Sequence, residues 1–189
     1  YKISYSLSDD HRNSKIDPKK GYLFVSKISQ SFKDTNYTSA ELSLRLYKDF
    51  FDFVVFSPRI SSGYIFKNND SLPASERYFL GGITSLRGFG IDEVSGYKGI
   101  GGNSYWLINN DLRFLIYPKY NIYLLTFYDL GNVFTEFKEY KKPKFRETAG
   151  IGVYVPTPVG SFILDYAKKL DKKPGESPYR IEFSIGLDF

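Results

Sequence analysis

The last eleven residues, 179–189, read YRIEFSIGLDF. Tyr179, Ile181, Phe183, Ile185, Leu187 and Phe189 occupy alternate positions, and Arg180, Glu182, Ser184, Gly186 and Asp188 lie between them. Successive side chains of an extended chain point to opposite faces, so this stretch is a strand with one apolar and one polar face. Its length suits a tilted strand crossing a membrane, which needs ~9–11 residues. A slip of one residue would turn every charge onto the apolar side, so the register is strongly specified.

The same rhythm recurs upstream. Strands are expected near 1–9, 20–31, 37–48, 51–66, 103–117, 121–134, 147–156, 161–169 and 179–189. In the third, Ala40, Leu42, Leu44 and Leu46 share one face, with Glu41, Ser43 and Arg45 opposite. Pro58 interrupts the fourth, and proline belongs at edges or bulges. Short connectors fall at Lys48–Asp52, Pro118–Tyr120 and Pro156–Gly160; the others carry about ten residues, and residues 68–102 form one of over thirty. Outer-membrane barrels pair short periplasmic turns with long outer loops, so this alternation predicts a sidedness, with 68–102 outside and the C-terminus in the periplasm. The connector DDHRNSKIDPKKG, residues 9–21, is longer than its side predicts. The expected fold class is all-β, one domain over residues 1–189: an antiparallel meander of eight or nine strands forming part of a transmembrane outer-membrane β-barrel.

Composition agrees with that class. Aromatic residues reach 19% of the 189, with 17 Tyr and 17 Phe, and barrels gather such rings at the two membrane interfaces. No stretch approaches the ~20 consecutive apolar residues of a membrane-spanning helix. Mean hydropathy is negative, as it is for any strand with only one apolar face. A soluble lipid-binding barrel has the same periodicity, but it turns the apolar face inward and leaves Arg45, Arg113 and Asp165 as surface charges. The net charge of +5 is concentrated at 15–20, 138–144 and 168–173, which read as solvated turns rather than a nucleic-acid surface, because no recognition motif accompanies them. There is no Cys and no Met. A translated chain starts with Met, so this one is read as a C-terminal piece.

The long connector opens with specific chemistry. Residues 77–90 read RYFLGGITSLRGFG, a cation and a ring set among four glycines. This stretch resembles the loop signature of the BamA and TamA superfamily of outer-membrane insertases and their relatives in two-partner secretion, in which a "GG…RGF/Y" loop folds back into a sixteen-stranded barrel. NNDLRFLIYP (109–118), TFYDLGNVF (126–134), PVGSFILDYAKKL (158–170) and the aromatic terminal strand resemble further family segments in order and spacing. The likeness covers residues 77–189, with DPKKG a weaker match upstream.

The resemblance implies that Arg87 enters the barrel and meets Asp111 and Asp129, inward-facing on adjacent strands. Asp111 stands where many relatives carry Glu. Gly81, Gly82, Gly88 and Gly90 would let the backbone turn and approach the wall, and Phe89 would anchor the tip. The terminal strand resembles the outer-membrane sorting signal, carried by Tyr179, Phe183, Gly186 and Phe189. The implied activity is folding and inserting other barrel proteins, in an integral protein of the bacterial outer membrane. Its implied partners are outer-membrane lipids, unfolded outer-membrane protein substrates, and periplasmic domains or assembly lipoproteins. Upstream strands or a second copy would complete the ring. A secretion pore of the same superfamily, including one fused to a patatin-like phospholipase, keeps the fold and changes the task.

No enzyme is expected. The single histidine, His11, sits in a polar turn, and GIGGNS lacks the spacing of a nucleophile elbow or a phosphate-binding loop. No catalytic residue, metal-ligand cluster or cofactor is assigned.

Overall fold

The computed structural model describes residues 1–32, 36–67, 72–96, 99–135, 139 and 143–186. Nine strands follow one another: β1 (Lys2–Asp10), β2 (Gly21–Ser31), β3 (Tyr37–Phe50), β4 (Val54–Lys67), β5 (Ser104–Tyr117), β6 (Ile122–Phe134), β7 (Arg146–Val155), β8 (Phe162–Lys169) and β9 (Tyr179–Ile185). They form one sheet in sequence order, each pair antiparallel. Among the described residues β1 and β9 do not pair, so the described sheet is an open arc of barrel wall.

Alternation decides what each face carries. On β9, Tyr179, Ile181, Phe183 and Ile185 are exposed, and Glu182 and Ser184 are buried. The apolar rows continue across the pairings: Phe24, Leu44, Ile60, Ile108 and Leu130 lie side by side on the outer face. The inner face of the same strands carries Arg45, Arg59, Asp111, Arg113, Asp129 and Asp165. A lipid-carrying soluble barrel would have the opposite polarity, and the three residues it would leave on the surface are shielded: Arg113 and Asp165 are buried, and the Arg45 side chain is 11% exposed.

The elements depart from expectation in four places. β4 runs straight through Pro58; its ladder to β5 continues there, while the ladder to β3 skips Ser57 and Pro58 because proline brings no N–H. The β3–β4 turn lies at 51–53, and the β2–β3 connector, 32–36, is shorter than the ten residues expected. β9 is described to Ile185; Gly186 then takes φ +78 and leaves extended geometry, and Leu187, Asp188 and Phe189 lie outside the described residues.

The over-long connector after β1 is explained by where it goes. The turn at 11–20 brings Asp17 and buried Pro18 against the inner face, while His11, Asn13, Lys15, Ile16 and Lys20 stay exposed. The Tyr123 hydroxyl donates to Asp17 Oδ2 at 2.6 Å, Arg113 pairs with Asp17 at 3.3 Å and also donates to the Pro18 carbonyl, and the Arg113 guanidinium lies 4.7 Å from the Tyr154 ring centre. This turn is a chord from the β1–β2 end of the arc to β5, β6 and β7, so the 15–20 cluster is not a simple solvated turn. Asp17→Ala leaves the Tyr123 hydroxyl and buried Arg113 short of an acceptor and is expected to cost about 1–3 kcal/mol. A lower urea midpoint at unchanged slope measures it, with exposed Lys15→Ala changing stability by less than about 0.5 kcal/mol.

Candidate functional site

Residues 72–96 and 99–103 fold back against the inner face. The connector begins as a narrow ribbon, with bridges Tyr78↔Gly102 and Leu80↔Val94, and its tip is the glycine-rich stretch. Leu80, Leu86, Phe89 and Val94 of the loop pack with Leu107 of β5 and Val133 of β6, so one apolar core of this wall is made by loop on sheet. A second joins Ile83 to Leu125, Phe127, Ile163 and Ala167.

Two glycines are required by the geometry. Gly81 has φ +127, and a Cβ there would stand 2.0 Å from the Gly90 carbonyl oxygen. Gly88 has φ +82, and its Cβ would stand 3.0 Å from the Cβ of Ala167 on β8. Gly82, at φ +89, closes the tip by donating from its N–H to the Phe89 carbonyl at 2.9 Å. Gly90 donates to Glu93 Oε2 at 2.5 Å.

These turns deliver Arg87 to the wall. Its Nε and Nη2 donate to the two oxygens of Asp129, each at 2.7 Å, the paired geometry a planar guanidinium allows. Nη2 also donates to Asp111 Oδ1 at 2.6 Å, so aspartate, one methylene shorter than glutamate, still reaches. Asp111 Oδ2 accepts from Arg45 at 2.5 Å, which makes this carboxylate a bridge between two cations. The Arg87 guanidinium lies 3.7 Å from the centre of the Phe127 ring, and Nη1 is 3.7 Å from Asp165. Alternation explains the convergence: Asp111 and Asp129 both occupy inward positions of adjacent strands. Burying an arginine costs several kcal/mol unless carboxylates offset it, and here the nearest are within hydrogen-bond reach.

Phe89 is fully buried. Arg146 of β7 lies 4.5 Å and Lys169 of β8 4.4 Å from its ring centre. The two cations are held in turn: Lys169 donates to Glu93, and Arg146 donates to Asp171 at 2.5 Å and to Glu176 at 2.6 and 3.0 Å. Burial opposes the charge of Glu176, yet the Arg146 guanidinium keeps its carboxyl below the usual range. Lys169 is therefore part of this interior, which corrects the reading of the 168–173 cluster at that one residue; Lys168, Lys172 and Lys173 are exposed.

Arg45, Arg59, Asn109, Phe127, Arg146, Lys169 and Glu182 are further residues of the site that the motif did not name. Arg59 donates to Asn109 Oδ1 at 2.7 and 2.9 Å and to the Thr84 carbonyl at 2.9 Å, and Asn109 donates to the Ser85 carbonyl at 2.9 Å, which fixes the descending limb of the loop. Their inward parity was readable; their partners were not, because those lie 24 to 50 positions away. Of the terminal-strand residues, Tyr179 and Phe183 are exposed on the outer face, Tyr179 stacked on Tyr166 at 5.6 Å, and Gly186 donates to the Ser161 carbonyl at 3.0 Å.

Arg87, Arg45, Asp111 and Asp129 are hydrogen-bonded to one another, whereas buried Asp165 has the 3.7 Å contact with Arg87 and no hydrogen bond to its carboxylate oxygens among the described residues. Among the described residues no group of His, Cys, Asp and Glu is placed to hold a metal ion.

The profile of the Omp85 superfamily domain matches residues 1–189. The chain is 25% identical over 195 residues to the outer membrane protein assembly factor BamA of Nitratidesulfovibrio vulgaris, covering 95% of this chain and 24% of that protein. It is 33% identical over 114 residues to the sorting and assembly machinery component 50 homolog of Bos taurus, covering 55% of this chain and 24% of that protein. The chain thus spans about a quarter of the length of these curated relatives. The fold matches the crystal structure of BamA from Haemophilus ducreyi lacking POTRA domains 1-3 with a TM-score of 0.80 at 20% identity, over 96% of this chain and 41% of that one. With a match that runs from the first residue to the last, on a wall of apolar-out, polar-in strands, this chain belongs to the Omp85 superfamily of outer-membrane β-barrel proteins.

Proposed function

We propose that the protein folds and inserts other β-barrel proteins into the outer membrane, and that residues 1–189 are the C-terminal part of its barrel. The observation that carries this reading is the similarity, over 95% of the chain, to a protein named for outer-membrane protein assembly. One feature of the arc supports it: the described residues of the long connector, 72–96 and 99–103, and part of the 11–20 turn lie against the inner face, which makes the wall a more direct place for strand addition than the lumen is for passage. In this reading the outer face contacts lipid, the short turns and the C-terminus lie in the periplasm, and periplasmic domains or assembly lipoproteins present unfolded substrate.

The test is reconstitution of the protein with its complete barrel and periplasmic region into phosphatidylcholine vesicles. Added unfolded barrel substrate is expected to become protease-protected faster than with empty vesicles. Unchanged protection, together with passage of a polypeptide into the vesicle, would instead assign a secretion pore.

Residues 1–189 are not expected to close a ring alone. An odd number of antiparallel strands leaves β1 and β9 running in the same direction, and single-chain bacterial barrels avoid a parallel junction. An eight-stranded ring would be filled by its own side chains, with no room for the inward loop. Mass in detergent reads this: a closed monomer of this chain alone would contradict the assignment, whereas completion by upstream strands or by a second copy agrees with it.

A further inference from the structure

We infer that Glu182 is a positioning residue that couples the inward loop to the last strand, so that seating of the loop tip sets how firmly β9 stays in the wall. The inference rests on the insertase reading only for its use, not for its geometry.

Arg87 binds β5 and β6, Phe89 binds β7 and β8, and the residue between them reaches β9: the Gly88 N–H donates to Glu182 Oε2 at 2.8 Å, both groups buried. The left-handed φ of Gly88 presents that N–H, and its packing against Ala167 and Thr148 leaves it no water. Three consecutive loop residues therefore strap five consecutive strands. The strap matters most at its end. β9 is the last strand that the loop tip reaches, and it meets an acidic neighbour, Asp165, directly across the ladder from Glu182. Arg180 Nε lies 3.6 Å from this carboxylate, and Arg87 and Asp129 act on it at longer range. Ser184, equally inward and buried on the same strand, has no hydrogen bond from its hydroxyl, so the tie to the loop is particular to Glu182.

Hydrogen exchange on the protein with its complete barrel, in detergent, tests the coupling. Glu182→Ala is expected to speed exchange of the Gly88 amide and of the β9 amides by about tenfold to a hundredfold, the loss of one charge-assisted hydrogen bond, with β7 unchanged as reference. Glu182→Gln keeps a carbonyl acceptor and restores most of the protection at both sites, and Ser184→Ala leaves both as in the parent. Equal exchange in Glu182→Ala and the parent, or the same acceleration in Ser184→Ala, overturns the inference. Substrate insertion is measured on the same variants and the parent: accelerated exchange in Glu182→Ala with no insertion by the parent keeps the coupling and removes the insertase reading, whereas insertion by the parent with equal exchange in Glu182→Ala keeps that reading and overturns the coupling.

Discussion

Replacing Arg87 with alanine is expected to destabilise the barrel by about 3–5 kcal/mol, the cost of leaving a buried charge without its partner. The charges left behind are Asp129, with no exposed surface, Asp165, 1% exposed, and Asp111, 6% exposed. Asp111 keeps Arg45, but both side-chain hydrogen bonds from Arg87 to Asp129 disappear, and with them the stacking on Phe127; the backbone N–H of residue 87, 3.4 Å from Asp129 Oδ2, remains. Arg87→Lys restores the charge without the fork: one ammonium cannot span both oxygens of Asp129 and reach Asp111, so it recovers only part of the loss. Removing the second charge as well, in Arg87→Met with Asp129→Leu, is expected to cost less than Arg87→Ala alone, because replacing a buried pair by apolar groups is often neutral. Folded fraction along a urea series, read by heat-modifiable migration of the complete protein, decides it. A loss below about 1 kcal/mol would show that water reaches the site and that the loop is not locked by charge.

Lysine at Phe183 or Ile151 is expected to cost about 2–4 kcal/mol, because both side chains stand outward where the wall meets lipid and a charge near the midplane is poorly solvated. Tyr179→Lys, at the outer end of the same row, should cost no more than about 1 kcal/mol, since a long side chain there reaches the headgroup region. The pair Phe183 and Ile151 separates two causes. Phe183 lies on the edge strand, whereas Ile151 has β6 and β8 on either side, so equal costs point to lipid and a cost confined to Phe183 points to loss of edge pairing. Insertion efficiency into lipid vesicles measures both. Tolerance of lysine at Ile151 equal to that at Tyr179 would remove the assignment of the outer face to lipid.

What the sequence determined by itself is the wall. Period-two alternation is a local property, so residues 179–185 already carried their two faces, and Ala40 to Leu46 did the same; nine such runs with their turns gave the meander. The expected meeting of Arg87 with Asp111 and Asp129, and the expected need for glycine at 81 and 88, came from the resemblance of the motif segments and not from periodicity. Only the tertiary structure decided what meets inside the arc. The Arg45 to Asp111 bridge spans 66 positions, the Gly88 to Glu182 bond 94, and the Asp17 to Tyr123 bond 106. Such pairings depend on how far the sheet curves and on which loop turns inward, and no periodicity in the chain records either. Charge clusters misled in part for the same reason: Lys169, Asp17 and Pro18 look like solvated surface in one dimension, and they are shielded because Phe89, Glu93 and Arg113 arrive from elsewhere to cover them.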